Sequence, residues 1–204
     1  MSYASSIIPT VLPPLTISEC IASDEANSIL QLSNMEGNSV ALVMAISEGR
    51  GLVVADGSYM AERSTKLGTA AWKLEDELTK VNCKGMVRTT GKEKDVNPYQ
   101  SKLQGLHATV SCISVICQHH QVISGKVMVC CNNEKALWLS SIRTIQVPLC
   151  TKHADLMRVI HKTVADLPIK VVFQDVMGHQ DKHGFFDDLD QPSQLNVQMD
   201  FEAK

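Results

Sequence analysis

The octapeptide VVADGSYM, residues 53–60, places a carboxylate, Asp56, at the end of an apolar run. Such a group has two chemical uses. In an Asp-Gly pair it turns the chain, because Gly57 tolerates positive φ and Asp hydrogen-bonds its own backbone. As an oxygen ligand it can hold a hard divalent cation. Two other clusters invite a metal reading. His179, Asp181, His183, Asp187, Asp188 and Asp190 crowd the stretch HQDKHGFFDDLD, but their spacing fits no dedicated zinc or calcium pattern, and a polar loop is expected there. Cys117, His119 and His120 close a helical stretch and read as a basic C-terminal cap.

The elements around these residues follow from hydrophobic periodicity. GLVVAD, GTAAWKLE and CKGMVRTT are short apolar runs separated by Gly and charged clusters, which predicts three strands joined as an antiparallel meander. The period then changes. In NPYQSKLQGLHATVSCISVICQHH, Asn97 is a candidate N-cap and Pro98 takes the first helical position. Tyr99, Leu103, Leu106, Val110, Ile113 and Cys117 recur at spacings of three and four, which predicts a long helix. GKVMVCC reads as a fourth strand, NEKALWLSS as a short helix, TKHADLMRVIHKTVAD as a longer one stopped by Pro168, and IKVVFQDVMG as a fifth strand. QPSQLNVQMDFEAK, with Pro192 at its start, is the last helix. The order βββαβααβα predicts an α/β domain over residues 40–204 with a mixed sheet and helices packed on it. Residues 1–39, with Pro9, Pro13, Pro14 and a Ser/Asn/Glu-rich middle, read as a loosely ordered leader, and SVALVMAI at its end as a strand-like or short packed segment.

Composition narrows the class. In 204 residues, 19 basic and 22 acidic side chains give a formal net charge of −3, so no global basic field points to nucleic acid. A local basic strip on the first three strands, Lys66, Lys73, Lys84, Arg88, Lys92 and Lys94, is interleaved with acids. The aromatic content of 4% makes a stacking platform for single strands a poor fit. Seven cysteines, an odd number with no C-x-x-C pair, sit largely in apolar runs and suit buried thiols in a reducing, intracellular compartment, cytoplasmic or nuclear. No apolar stretch is long enough to cross a bilayer, and no secretory leader is expected.

Four segments in order, VVADGSY…GTAAW, YQSKLQGL, VCCNNEKAL and VMGHQD…LDQPSQLNVQMDFEAK, resemble the ribonuclease H domain of retroelement reverse transcriptases from about Val40 to Lys204. The resemblance implies a five-stranded mixed sheet, its first three strands antiparallel, with helices on both faces. It also implies two-metal hydrolysis of the RNA strand of an RNA–DNA hybrid by four acids around two Mg²⁺ ions roughly 3.5–4 Å apart. Carried over by position, Asp56 stands at the first-strand acid, Asp200 at the last-helix acid and His179 at the mobile-loop His. The Glu expected in Y-x-S-E-L is Lys102, and the Asp expected in C-D-N/G-x-x-A-L is Asn132. Two carboxylates and one ammonium cannot balance two divalent ions. The expectation is therefore a degenerate, catalytically inactive site in which Asp56 and Asp200 are the remaining metal-ligand positions, no Mg²⁺ is held, and an Asp56–Lys102 ion pair replaces the metal. The implied role is structural or hybrid-binding, the alternative being residual metal-dependent cleavage, and a pseudogene-like product being a third reading. The polymerase part that precedes such domains is not expected here, which makes the chain a fragment, an isolated remnant or a recruited domain of a larger reverse-transcriptase polyprotein.

Overall fold

The computed structural model describes residues 39–62, 64, 67–89, 96–141, 147–148, 150–182 and 184–204. Apart from Ser39, the expected leader lies outside the described residues, as do Lys66, Lys92, Lys94 and His183.

The SVALVMAI segment is a helix, α1 (Ser39–Ser47), and not a strand. An apolar run of this length cannot be assigned by composition, since it suits a buried strand or a buried helix equally. Packing decides it: Leu42, Ala45 and Ile46 are all fully buried, and their spacings of three and four place them on one helical face. A turn through Gly49, at φ +77, follows and leads into the sheet.

The predicted meander is present as β1 (Gly51–Tyr59), β2 (Gly68–Asp76) and β3 (Asn82–Thr89). They are followed by α2 (Pro98–His119), β4 (Lys126–Cys131), α3 (Glu134–Ser141), α4 (Ala154–Asp166), β5 (Lys170–Asp175) and α5 (Gln191–Glu202), with two single 3₁₀ turns between β5 and α5. Strand order is β3-β2-β1-β4-β5. The β1/β2 and β2/β3 pairs are antiparallel, whereas β1/β4 and β4/β5 are parallel. This is the five-stranded mixed sheet expected from the sequence.

Alternation along β1 sorts its side chains to two cores. Val53 and Ala55 pack into the larger one with Leu103, Leu106, Val110, Ile113 and Cys117 of α2, Met157 and Ile160 of α4, and Leu42 and Ile46 of α1. Leu52 and Val54 point the other way, into a smaller core with Ala71, Cys130, Leu195 and Met199 of α5, and Ala203, the residue that caps its end. Helices therefore cover both faces. Every position of the predicted α2 stripe from Leu103 to Cys117 is buried, while Tyr99 packs partly buried at its start.

The start of α2 is set by its caps. The Asn97 side chain accepts from the Gln100 amide at 3.0 Å, and Pro98 at the first position has no amide to leave unsatisfied. Among the described residues no helix is long and apolar enough to cross a membrane.

Candidate functional site

Asp56 shares the parity of Leu52 and Val54 on β1, yet it lies near the strand's C-terminal end, where the apolar contacts stop. The side chain is buried, at 2% exposure. Its neighbour Gly57 faces the opposite way, against α2. A Cβ added there would fall 2.5 Å from the Lys102 amide nitrogen and 2.5 Å from the Ser101 carbonyl carbon. The missing side chain thus brings the second turn of α2 into backbone contact with β1. That approach delivers Lys102 to Asp56.

Lys102 Nζ donates to Asp56 Oδ1 at 2.5 Å and also to the side-chain oxygen Oδ1 of Asn132. The Asn132 side-chain Nδ2 in turn donates to Asp56 Oδ2 at 3.0 Å, and the Gly57 backbone amide donates to Oδ1 at 2.7 Å. Three elements therefore close one ring of hydrogen bonds: the end of β1, the second turn of α2 and the residue after β4. Both carboxylate oxygens are occupied. The Asp56–Lys102 pair expected from the sequence is present, and Lys102 is not a surface lysine with its amine in solvent.

Asn132 does not start α3, one role its sequence position allows. Asn133 does, accepting from the Ala136 amide at 2.8 Å. Either residue of an Asn-Asn pair can cap, and one residue of offset releases the Asn132 side chain to the ring.

Asp200 projects from α5 and is ion-paired with Lys204 at 2.7 Å, with His179 Nδ1 3.5 Å away. His179 sits at φ +55 in the segment after β5, directly after Gly178. A Cβ on Gly178 would lie 2.9 Å from the Asn132 amide nitrogen, so this segment passes over the ring and then turns to Asp200. Gln180 continues the seam by donating to Ser193 Oγ at 2.8 Å. Asp56, Lys102 and Asn132 are thus in mutual contact, whereas His179 and Asp200 pair with each other beside them and are linked to the ring, among the described residues, only by Gly178, which packs on Asn132. One polar residue of α5 is legible only in the structure. Asn196, a turn before Asp200, is fully buried, and neither carboxamide atom has a hydrogen-bond partner among the described residues.

The other metal readings do not assemble. Among the described residues, no group of three His, Cys, Asp or Glu side chains is placed to hold a metal ion. Asp190 is instead the N-cap of α5, accepting from the Ser193 amide at 3.0 Å. His120 caps the end of α2, and burial together with the neighbouring His119 lowers its pKa. Burial pushes the Cys117 thiol up to about 11 and those of Cys130 and Cys131 up to about 12, so all three stay protonated and apolar in character. The basic strip is partly neutralised: Lys73 pairs with Glu75 at 2.7 Å and Lys84 with Glu202 at 2.9 Å.

No protein-family model matches the chain, and no curated protein matches it in sequence. Solved structures do resemble it. A type 1 ribonuclease H with the type 2 active-site motif, LC9-RNase H1, superposes with a TM-score of 0.51 at 14% identity, covering 78% of this chain and 74% of its own. The N-terminal ribonuclease H domain of a Mycobacterium tuberculosis protein, solved as a fusion with maltose-binding protein, gives 0.44 at 10% identity over 75% and 94% of the two chains. A foamy viral protease–reverse transcriptase in complex with RNA/DNA hybrid gives 0.40 at 13% identity over 79% of this chain and 21% of its own. With the strand order above, the first of these defines the class: this chain has a ribonuclease H-like fold.

Proposed function

We propose that this chain is a degenerate ribonuclease H-like domain of retroelement origin, catalytically silent, whose remaining role is architectural. The retroelement assignment is supported by the four sequence segments quoted above. The observation that carries the loss of catalysis is the Lys102 ammonium between Asp56 and Asn132.

A two-Mg²⁺ centre needs oxygen ligands with enough negative charge to offset four positive charges. The donor set here does not fit it. Asp56 spends both oxygens on Lys102, Asn132 and Gly57, Asn132 is neutral, and Asp200 is paired with Lys204. An ammonium about 4 Å from a divalent ion would be repelled by on the order of 8 kcal/mol at an effective dielectric of about 20. The fixed ammonium takes the electrostatic place of the metal and holds the ends of β1, α2 and β4 together. The pairing of Lys73 and Lys84 with carboxylates favours an architectural role over hybrid binding, because a phosphate-tracking surface needs its cations unspent.

The test is incubation of the chain with a labelled RNA–DNA hybrid in Mg²⁺ and separately in Mn²⁺, alongside salt-dependent binding of the same hybrid. The expected result is no RNA-strand cleavage and no steep salt dependence. Cleavage that Asp56→Asn abolishes would overturn the proposal in favour of a residually active nuclease. Salt-sensitive binding without cleavage would replace the architectural role by a hybrid-binding one.

A further inference from the structure

Three of the four phenylalanines are on the surface, two in the turn before α5 and one near the end of that helix. Phe185 and Phe201 are 81% exposed and Phe186 is 36% exposed. The Gln194 side chain donates to the Phe186 carbonyl oxygen at 3.1 Å, which pins the 3₁₀ turn at Phe186–Asp188 to the first turn of α5. From Gln194 the same side of the helix continues through Val197 to Phe201, at spacings of three and four. The opposite side of α5 is the one spent on the core, through Leu195, Met199 and the capping Ala203. Exposed aromatic side chains at both ends of one outer helix side are apolar surface of the kind that marks a contact site.

The charge beside this surface selects the partner. Asp181, Asp187 and Asp188 are exposed in the same turn region, against one lysine, Lys182, among its described residues. A phosphate backbone or an anionic bilayer would be repelled by these carboxylates, whereas a cationic chain would be attracted and steered. We propose that the outer side of α5 and the Phe185–Asp188 turn form a docking surface for a basic, amphipathic protein segment, whose apolar side covers Phe185, Phe186 and Phe201 and whose Lys or Arg side chains meet Asp187 and Asp188. This surface is independent of the Asp56 ring.

The probe is a labelled synthetic peptide of Leu and Lys with leucines on one helical face, compared by fluorescence anisotropy with a scrambled peptide of the same composition and with its Leu/Glu counterpart. The amphipathic Leu/Lys peptide is expected to bind best. Two variants, Phe185→Ser with Phe201→Ser and Asp187→Asn with Asp188→Asn, are each expected to weaken it about tenfold, the loss typical of removing an interface anchor. The Asp pair variant leaves every core residue untouched, so it tests the surface even if the Phe variant fails to fold. Equal binding of the scrambled peptide, or unchanged binding by the Asp variant, would overturn the proposal. So would a dimer in solution that Phe201→Ser dissociates, because the surface would then be covered by a second copy.

Discussion

The ring around Asp56 can be broken at one atom by Lys102→Met, which keeps the aliphatic stem and deletes the ammonium. Asp56 is 2% exposed, and it would lose the only cation paired with it among the described residues while keeping the Gly57 and Asn132 amides at 2.7 and 3.0 Å. Removing one partner of a buried ion pair costs about 3–5 kcal/mol. The two remaining donors and the slight exposure of Lys102 put this case near about 3 kcal/mol. At a urea m-value of about 2 kcal/mol per molar, the unfolding midpoint falls by about 1.5 M. The decisive arm is the double variant Asp56→Asn with Lys102→Met, in which three neutral groups replace the charged ring. It should recover about 2 kcal/mol of the loss, a coupling that a double-mutant cycle isolates. Equal stability of Lys102→Met and the parent, or a double variant no more stable than the single one, would refute the idea that the ammonium neutralises Asp56 in the fold.

Three other perturbations test neighbouring parts. Gly57→Ala drives a methyl group into the backbone of Ser101 and Lys102, which a flexible side chain cannot relieve, so thermal unfolding should report a loss of at least about 2 kcal/mol. Asn97→Ala removes the cap of α2 and should lower the urea-unfolding free energy by about 1 kcal/mol. Burial acts to raise the Asp76 carboxyl, but hydrogen bonds from Arg50, Thr79 and the Leu78 amide outweigh it and lower the pKa from 3.8 to about 2. The folded-state pKa is depressed, so this contribution is fully present above about pH 4 and is withdrawn as the pH falls through about 2. Arg50→Gln should flatten that stretch of the stability curve measured by urea titrations at successive pH values.

Much of this geometry is legible in the sequence because it rests on local signals. The spacing from Tyr99 to Cys117 and the Asn97-Pro98 start fix α2, and once α2 is placed its second turn can carry Lys102 to the end of β1. What stays hidden depends on choices that are locally degenerate. SVALVMAI fits helix or strand until Leu42, Ala45 and Ile46 find their core. Asn132 and Asn133 are equivalent as caps until Asn132 is needed by Lys102 and Asp56. Gly57 reads as a turn residue after Asp56, yet its structural use is the close approach of α2. The pairing of Lys84 with Glu202 spans 118 residues and leaves no trace in the pattern of charges along β3.

The most direct measurement is Mn²⁺ binding, followed by paramagnetic resonance, to the parent chain and to the variant Lys102→Glu with Asn132→Asp. That variant rebuilds a four-acid set with Asp56 and Asp200. If Lys102 has taken the electrostatic place of a metal, the folded variant binds Mn²⁺ and the parent does not. Equal Mn²⁺ binding by the parent, or a folded variant that binds none, would contradict it.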